Sequence, residues 1–193
     1  MFLNNKKQGW YLTFFYILFA LSAFVLAIED FLFFRISNLI IALQLALFVA
    51  MVLIFKEPID FLFPGIAFIV VMGVGFILFN YQMIGAGDVK FIATASAWFM
   101  LLGDIAGFLL LTSLVGGLLA LFYLFLGTHI EILRLALANR VVKIMPWAHL
   151  EAWVNYEPEI ATLKKHKKIV PYGTAVGMAC IVMVIIRMMA NSL

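Results

Sequence analysis

Residues 105–126 read IAGFLLLTSLVGGLLALFYLFL, a run without a single charged side chain. A helix needs about 20 consecutive, mostly apolar residues to cross the hydrocarbon core of a bilayer. This stretch therefore reads as a membrane span. Five similar runs surround it, over residues 10–28, 38–55, 59–79, 89–102 and 170–189. The run at 89–102 is short and needs tilt or protein neighbours to span. Gly103-Asp104 is the only break between it and the next run, which predicts a tight helical hairpin.

Composition agrees. Of the 193 residues, 66% are hydrophobic and 12% charged, with 20 Phe, against about 45–50% and about 25% in a soluble domain. Mean hydropathy is +1.15. A soluble chain of this size cannot hide so much apolar surface, so the water-soluble globular and disordered classes are excluded. The expected fold is an all-α integral membrane bundle of about six transmembrane helices. Lys6 and Lys7 precede the first run, but that run exceeds the 7–15 residues of a signal-peptide core and ends in Glu29-Asp30. It reads as a retained helix. The single cysteine, Cys180, excludes a disulfide framework and reads as a small buried hydrophobe.

The loops carry their charge unevenly. Nine of the 13 Lys and Arg (Arg35, Lys90, Arg134, Arg140, Lys143, Lys164, Lys165, Lys167 and Lys168) fall on one side, and Lys6, Lys7 and Lys56 on the other. The positive-inside rule puts the nine-charge side in the cytoplasm. The long polar interval 127–168 belongs to that side. Within it Ile130, Leu133, Leu137, Val141 and Ile144 recur at helical spacing, which predicts an amphipathic helix at the membrane surface, ended by Pro146. The cluster at 164–168 suits anionic headgroups or plain solvent equally.

Charges at a membrane are costly, so the acids come first as functional candidates. Asp60 and Asp104 sit at helix edges on the outer side and read as structural, Asp104 as a helix cap. Asp30 ends the first span and Asp88 opens the fourth, both on the nine-charge side. Asp88 follows Gly85-Ala86-Gly87, whose glycines permit close backbone approach. Glu29 points about 100° away from Asp30 on a helix and reads as a membrane-edge charge. His129, His149 and His166 have no metal-ligand spacing. Gly173 and Gly177 form Gly-x-x-x-Gly, a packing face, and Gly116-Gly117 reads the same way. No phosphate-binding loop and no nucleic-acid surface is visible.

Gly85-Ala86-Gly87-Asp88-Val89-Lys90 resembles the Gly-x-Gly-Asp-(Val/Ala)-Lys motif of type IV prepilin peptidases, the membrane aspartic proteases. The family's other motif is an Asp at a helix end followed by Ile-Pro-Asn. Here Asp30 is followed, at the same spacing, by Ile36-Ser37-Asn38. Residues 168–173, KIVPYG, look like the family's Pro-containing start to the final helix. Ser37 stands where Pro is usual, and Leu32 where a basic residue is frequent. The polar interval is longer than a minimal member needs.

The resemblance implies a single membrane-embedded peptidase domain over 1–193, in a prokaryotic inner membrane, without cofactor or metal. Asp30 and Asp88 are then the catalytic acids, with Gly85, Gly87, Lys90 and Asn38 supporting them. The implied substrate is a prepilin with a basic leader and an apolar helix. The paired cysteines of the methylating members are missing, so the chain is most similar to the short, peptidase-only members of tight-adherence pilus systems. Presenilin-like enzymes carry Tyr-Asp where this chain has Glu29-Asp30. Outside the resemblance, a transporter using the acids for a coupling ion, or a structural subunit of an assembly machine, remain as alternatives.

Overall fold

The computed structural model describes residues 2–54, 62–144 and 170–190. Among these, all regular structure is helical: α1 (Phe2–Phe33), α2 (Asn38–Ile54), α3 (Leu62–Asn80), α4 (Ala86–Leu101), α5 (Ile105–Ile144) and α6 (Tyr172–Ala190). Helices are one of the two ways a backbone can satisfy its polar groups in lipid. Four stretches are long and apolar enough to cross a membrane: Leu12–Phe33, α3, α5 and α6. The chain is a multi-pass membrane protein. Lys56, Asp60, Pro146, His149, His166 and the cluster at 164–168 lie outside the described residues.

Two of the expected spans fall short of that length. α2 has 17 residues and α4 has 16, and the latter rises only about 24 Å at 1.5 Å per residue. Protein replaces lipid around α4, which packs on α2, α3, α5 and α6. Residues 93–99 are all buried. Its Trp98 stacks on Phe19 of α1 at 4.6 Å, and its Phe99 on Phe108 of α5 at 4.7 Å. Gln44 of α2 donates to Ser22 at 3.0 Å and accepts from the Trp98 indole at its backbone oxygen at 3.3 Å, tying three helices. Cys180 is fully buried in the same core.

The helix ends follow from local chemistry. Gly103 takes φ +76, the left-handed conformation that ends a helix at little cost, and Asp104 N–H reaches back to Phe99 O at 2.9 Å. The expected hairpin follows, and the Asp104 carbonyl accepts the Phe108 N–H at the start of α5. α1 runs beyond the expected end at 28, through Asp30 to Phe33, because nothing before Phe34 breaks it. Phe34 then holds φ +50 without being glycine.

The expected surface helix is not a separate element. α5 continues unbroken from Ile105 to Ile144, about 60 Å, twice the thickness of the hydrocarbon core. Its packed face is also a different one. Tyr123, Gly127, Arg134 and Ala138 are buried, whereas Leu133, Leu137 and Ile144 are exposed. Arg134, Ala138 and, from the expected stripe, Val141 alone meet the end of α1.

Candidate active site

The site lies where the end of α1, the starts of α2, α4 and α6, and the C-terminal half of α5 converge. Asp30, in the last turn of α1, is 5% exposed. Its Oδ2 accepts the Thr174 backbone N–H at 2.8 Å and the Thr174 hydroxyl at 3.3 Å. That hydroxyl has a single proton, which it shares between Oδ2 and Ala27 O at 3.1 Å. A helix N-terminus leaves its first N–H groups unpaired and carries partial positive charge, and here α6 spends those groups on Asp30.

Asp88 is the third residue of α4. Its Oδ2 accepts the N–H of Gly85, the residue that caps the helix, at 3.3 Å. This is the backward reach of a capping-box acid. Its Oδ1 is buried and has no hydrogen-bond partner among the described residues. Asp30 and Asp88 lie within electrostatic reach of each other, and the Gly173 N–H faces both carboxylates. Two acids from different helices thus meet over one helix N-terminus.

The glycines act through space, not through unusual dihedrals. Gly85 has φ −75 and ψ 148, open to any residue, and Gly87 is helical. A Cβ on Gly87 would stand 3.0 Å from Ile36, and one on Gly173 would stand 2.6 Å from the Ile36 Cδ1 and 3.0 Å from Asp30 Oδ2. Ile36 therefore wedges between the starts of α4 and α6. Gly177 brings α6 onto α1, where a Cβ would lie 2.7 Å from Ala23 O. The packing face expected from Gly-x-x-x-Gly is thus what delivers the α6 N-terminus to Asp30. Gly116 packs on Tyr172 and Ala175, whereas Gly117 meets open space.

The remaining motif residues join the two segments. Lys90 Nζ donates to Asn38 Oδ1 at 3.0 Å, an exposed contact between α4 and α2. Glu29 is more than an edge charge: its Oε2 accepts the Ser37 N–H at 3.1 Å and closes the turn after α1. Proline at 37 has no such donor, so Ser37 and Glu29 form a closure that the usual motif residue excludes. Leu32 is buried with Phe33 and Ala138, an apolar contact in place of a basic side chain. A cavity of about 170 Å³ lies beside the turn, lined by Glu29, Phe33, Arg35, Ile36, Ser37 and Asn38.

The model of the type IV leader peptidase family matches residues 17–121. The chain belongs to that family. Comparison with curated proteins and with solved structures gave no match. The matched stretch of this peptidase carries Asp30 and Asp88 but stops short of Gly173, Thr174 and Arg134. The sequence marks Gly173 as a packing residue and as part of the final helix's start but does not point to Thr174, although a Pro-x-Gly-Thr start to a helix (residues 171–174) signals free N–H donors. Among the described residues, no three His, Cys, Asp or Glu side chains gather as metal ligands.

Proposed function

We propose that the protein is a membrane aspartic endopeptidase that removes the leader from type IV pilin-like precursors at the cytoplasmic membrane edge, with Asp30 and Asp88 as its catalytic pair. The observation that supports this most is that Asp30, bonded to Thr174 at the start of α6, and Asp88, which follows Gly87, are drawn together around Ile36, which packs on both Gly87 and Gly173. Family membership supports the leader-peptidase class. The nine-to-three distribution of Lys and Arg supports the orientation.

The chemistry follows from two acids sharing one place. Like charges held close do not both ionise readily, so one carboxyl keeps a proton. That proton hydrogen-bonds the scissile carbonyl while the other carboxylate accepts a proton from water. The water oxygen bonds to the carbonyl carbon and a tetrahedral intermediate forms. Its collapse breaks the C–N bond as the newly protonated acid passes a proton to the departing amine. The proton belongs to the pair, not to either residue. The Asp88 Oδ1, without a partner among the described residues, is an acceptor that can take such a water. Gly173 and Thr174 hold the Asp30 carboxylate in place during the cycle.

The substrate in this reading presents a basic leader on the cytoplasmic side and an apolar helix beside the enzyme in the bilayer. The experiment is cleavage of a co-expressed prepilin, scored by mobility shift. Asp30→Asn and Asp88→Asn should each abolish cleavage while inserting at normal levels. Asp60→Asn and Asp104→Asn should stay active. A pair variant with near-wild-type cleavage overturns the assignment and returns the chain to the transporter or structural readings.

A further inference from the structure

The end of α1 is held from outside by a side chain far away in sequence. Arg134 of α5 is 6% exposed. Its Nη1 donates to Leu32 O at 2.6 Å, across 102 positions. Its guanidinium carbon lies 4.6 Å above the Phe34 ring. Its Nε and Nη2 donate to Glu131, one turn earlier, which balances the buried charge. A planar fork makes all of these contacts at once, which a lysine ammonium cannot.

What Arg134 grips is a strained turn. Leu32 O belongs to the last turn of α1 and has no onward helical donor. Phe34 adopts the left-handed region at φ +50, which glycine enters freely and bulky residues do not. Two residues on, Ile36 wedges against Gly87 and Gly173. The path from Arg134 through Leu32 and Phe34 to Ile36 thus ends at the backbone that presents Asp88 and at the helix start that holds Asp30. Arg134 touches neither carboxylate.

We infer that Arg134 is a positioning residue: by clamping the Leu32–Phe34 turn to α5, it sets how the starts of α4 and α6 meet the end of α1, and so the register of Asp30 with Asp88. The inference rests on the peptidase reading above. Misplacing a reacting group by about 1 Å costs up to roughly a hundredfold in rate, so the effect belongs in kcat. Substrate contacts are left in place, and KM should stay within about twofold.

The test is steady-state cleavage of a purified prepilin by full-length enzyme in detergent, each variant normalised to folded protein. Arg134→Met should lower kcat at least about tenfold, and Arg134→Lys by about three- to tenfold, since the charge stays and the fork goes. Phe34→Gly added to Arg134→Met should recover several-fold of the loss, because glycine enters the left-handed conformation without the strain that Arg134 otherwise offsets. A merely structural role would change the amount of folded enzyme, not kcat, and would show no recovery. If Met prevents folding, the Lys variant carries the test, and wild-type kcat in a folded Lys variant overturns the inference. Wild type and Asp30→Asn run alongside: an inactive wild type or an active Asp30→Asn sinks the peptidase reading, and the inference falls with it. Normal controls with full kcat in the Arg134 variants sink the inference alone.

Discussion

Gly173 matters for the side chain it lacks. A methyl there would sit 3.0 Å from the Asp30 carboxylate, which its bonds to Thr174 hold in place. It would also press on Ile36, itself held by the turn after α1. The Ile36 Cδ1 is the far end of a side chain and can rotate aside, so the contact that matters is the one with the Asp30 carboxylate. Gly173→Ala should therefore lower kcat for prepilin cleavage at least about tenfold with the protein still inserted, measured against wild type in membranes. Thr174 gives a finer probe. Thr174→Val removes the hydroxyl that bridges Asp30 and Ala27 O and should reduce cleavage, whereas Thr174→Ser keeps the donor and should preserve it. Equal activity in the Val and Ser variants would assign the holding of Asp30 to backbone donors alone.

At the scale of the element, α4 and the α1–α6 pair do different work. α4 is too short to span unaided and is held by aromatic stacking and burial. Trp98→Ala removes the ring that stacks on Phe19 and meets Tyr16 and Phe48 edge-on. A loss of about 3–5 kcal/mol is expected for such a truncation, read by thermal denaturation in detergent. The α1–α6 contact depends on Gly177, whose added Cβ would meet the Ala23 carbonyl and Ala27. Backbone cannot rotate away as a side chain can. Gly177→Ala should cost about 1–3 kcal/mol and should also slow cleavage, because it lifts the α6 N-terminus from Asp30. A stability loss without any rate loss would separate the packing face from the site. Much of this was legible in sequence: the hairpin at Gly103-Asp104 and the Gly-x-x-x-Gly face follow from residue type alone. The packed face of α5 was not, since Leu133 and Leu137 have the right period but Arg134 and Ala138 face a protein neighbour.

For the whole molecule, all the gathered groups lie at one end of the bundle. Asp30, Asn38, Lys90, Arg134 and Thr174 touch partners there, and among the described residues Arg35 lies in the turn beside them. The one native thiol is buried, so single introduced cysteines can be read cleanly. Asn139→Cys should react with a membrane-impermeant maleimide only after the cytoplasmic side is opened, and Asp104→Cys in intact cells. The opposite pattern would invert the protein and remove the proposed substrate path. Mass spectrometry of a pilin processed by this enzyme alone should show a free N-terminal amine. A mass increase of one methyl group would reveal a second activity.

Composition and period determined the membrane class, the helical architecture and the positions of most helix ends, because each depends on local hydrophobicity, glycine or proline. The two acid motifs were visible for the same reason: each is a short run of residue types. What joins them was decided only in three dimensions. Asp30 meets Thr174 across 144 positions and Arg134 meets Leu32 across 102. A hydrogen bond between distant residues leaves no period or composition in the chain. It exists because α6 packs closely enough on α1 at Gly177 to bring free N–H groups to a buried carboxylate, and that closeness is a property of packed helices, not of either segment alone.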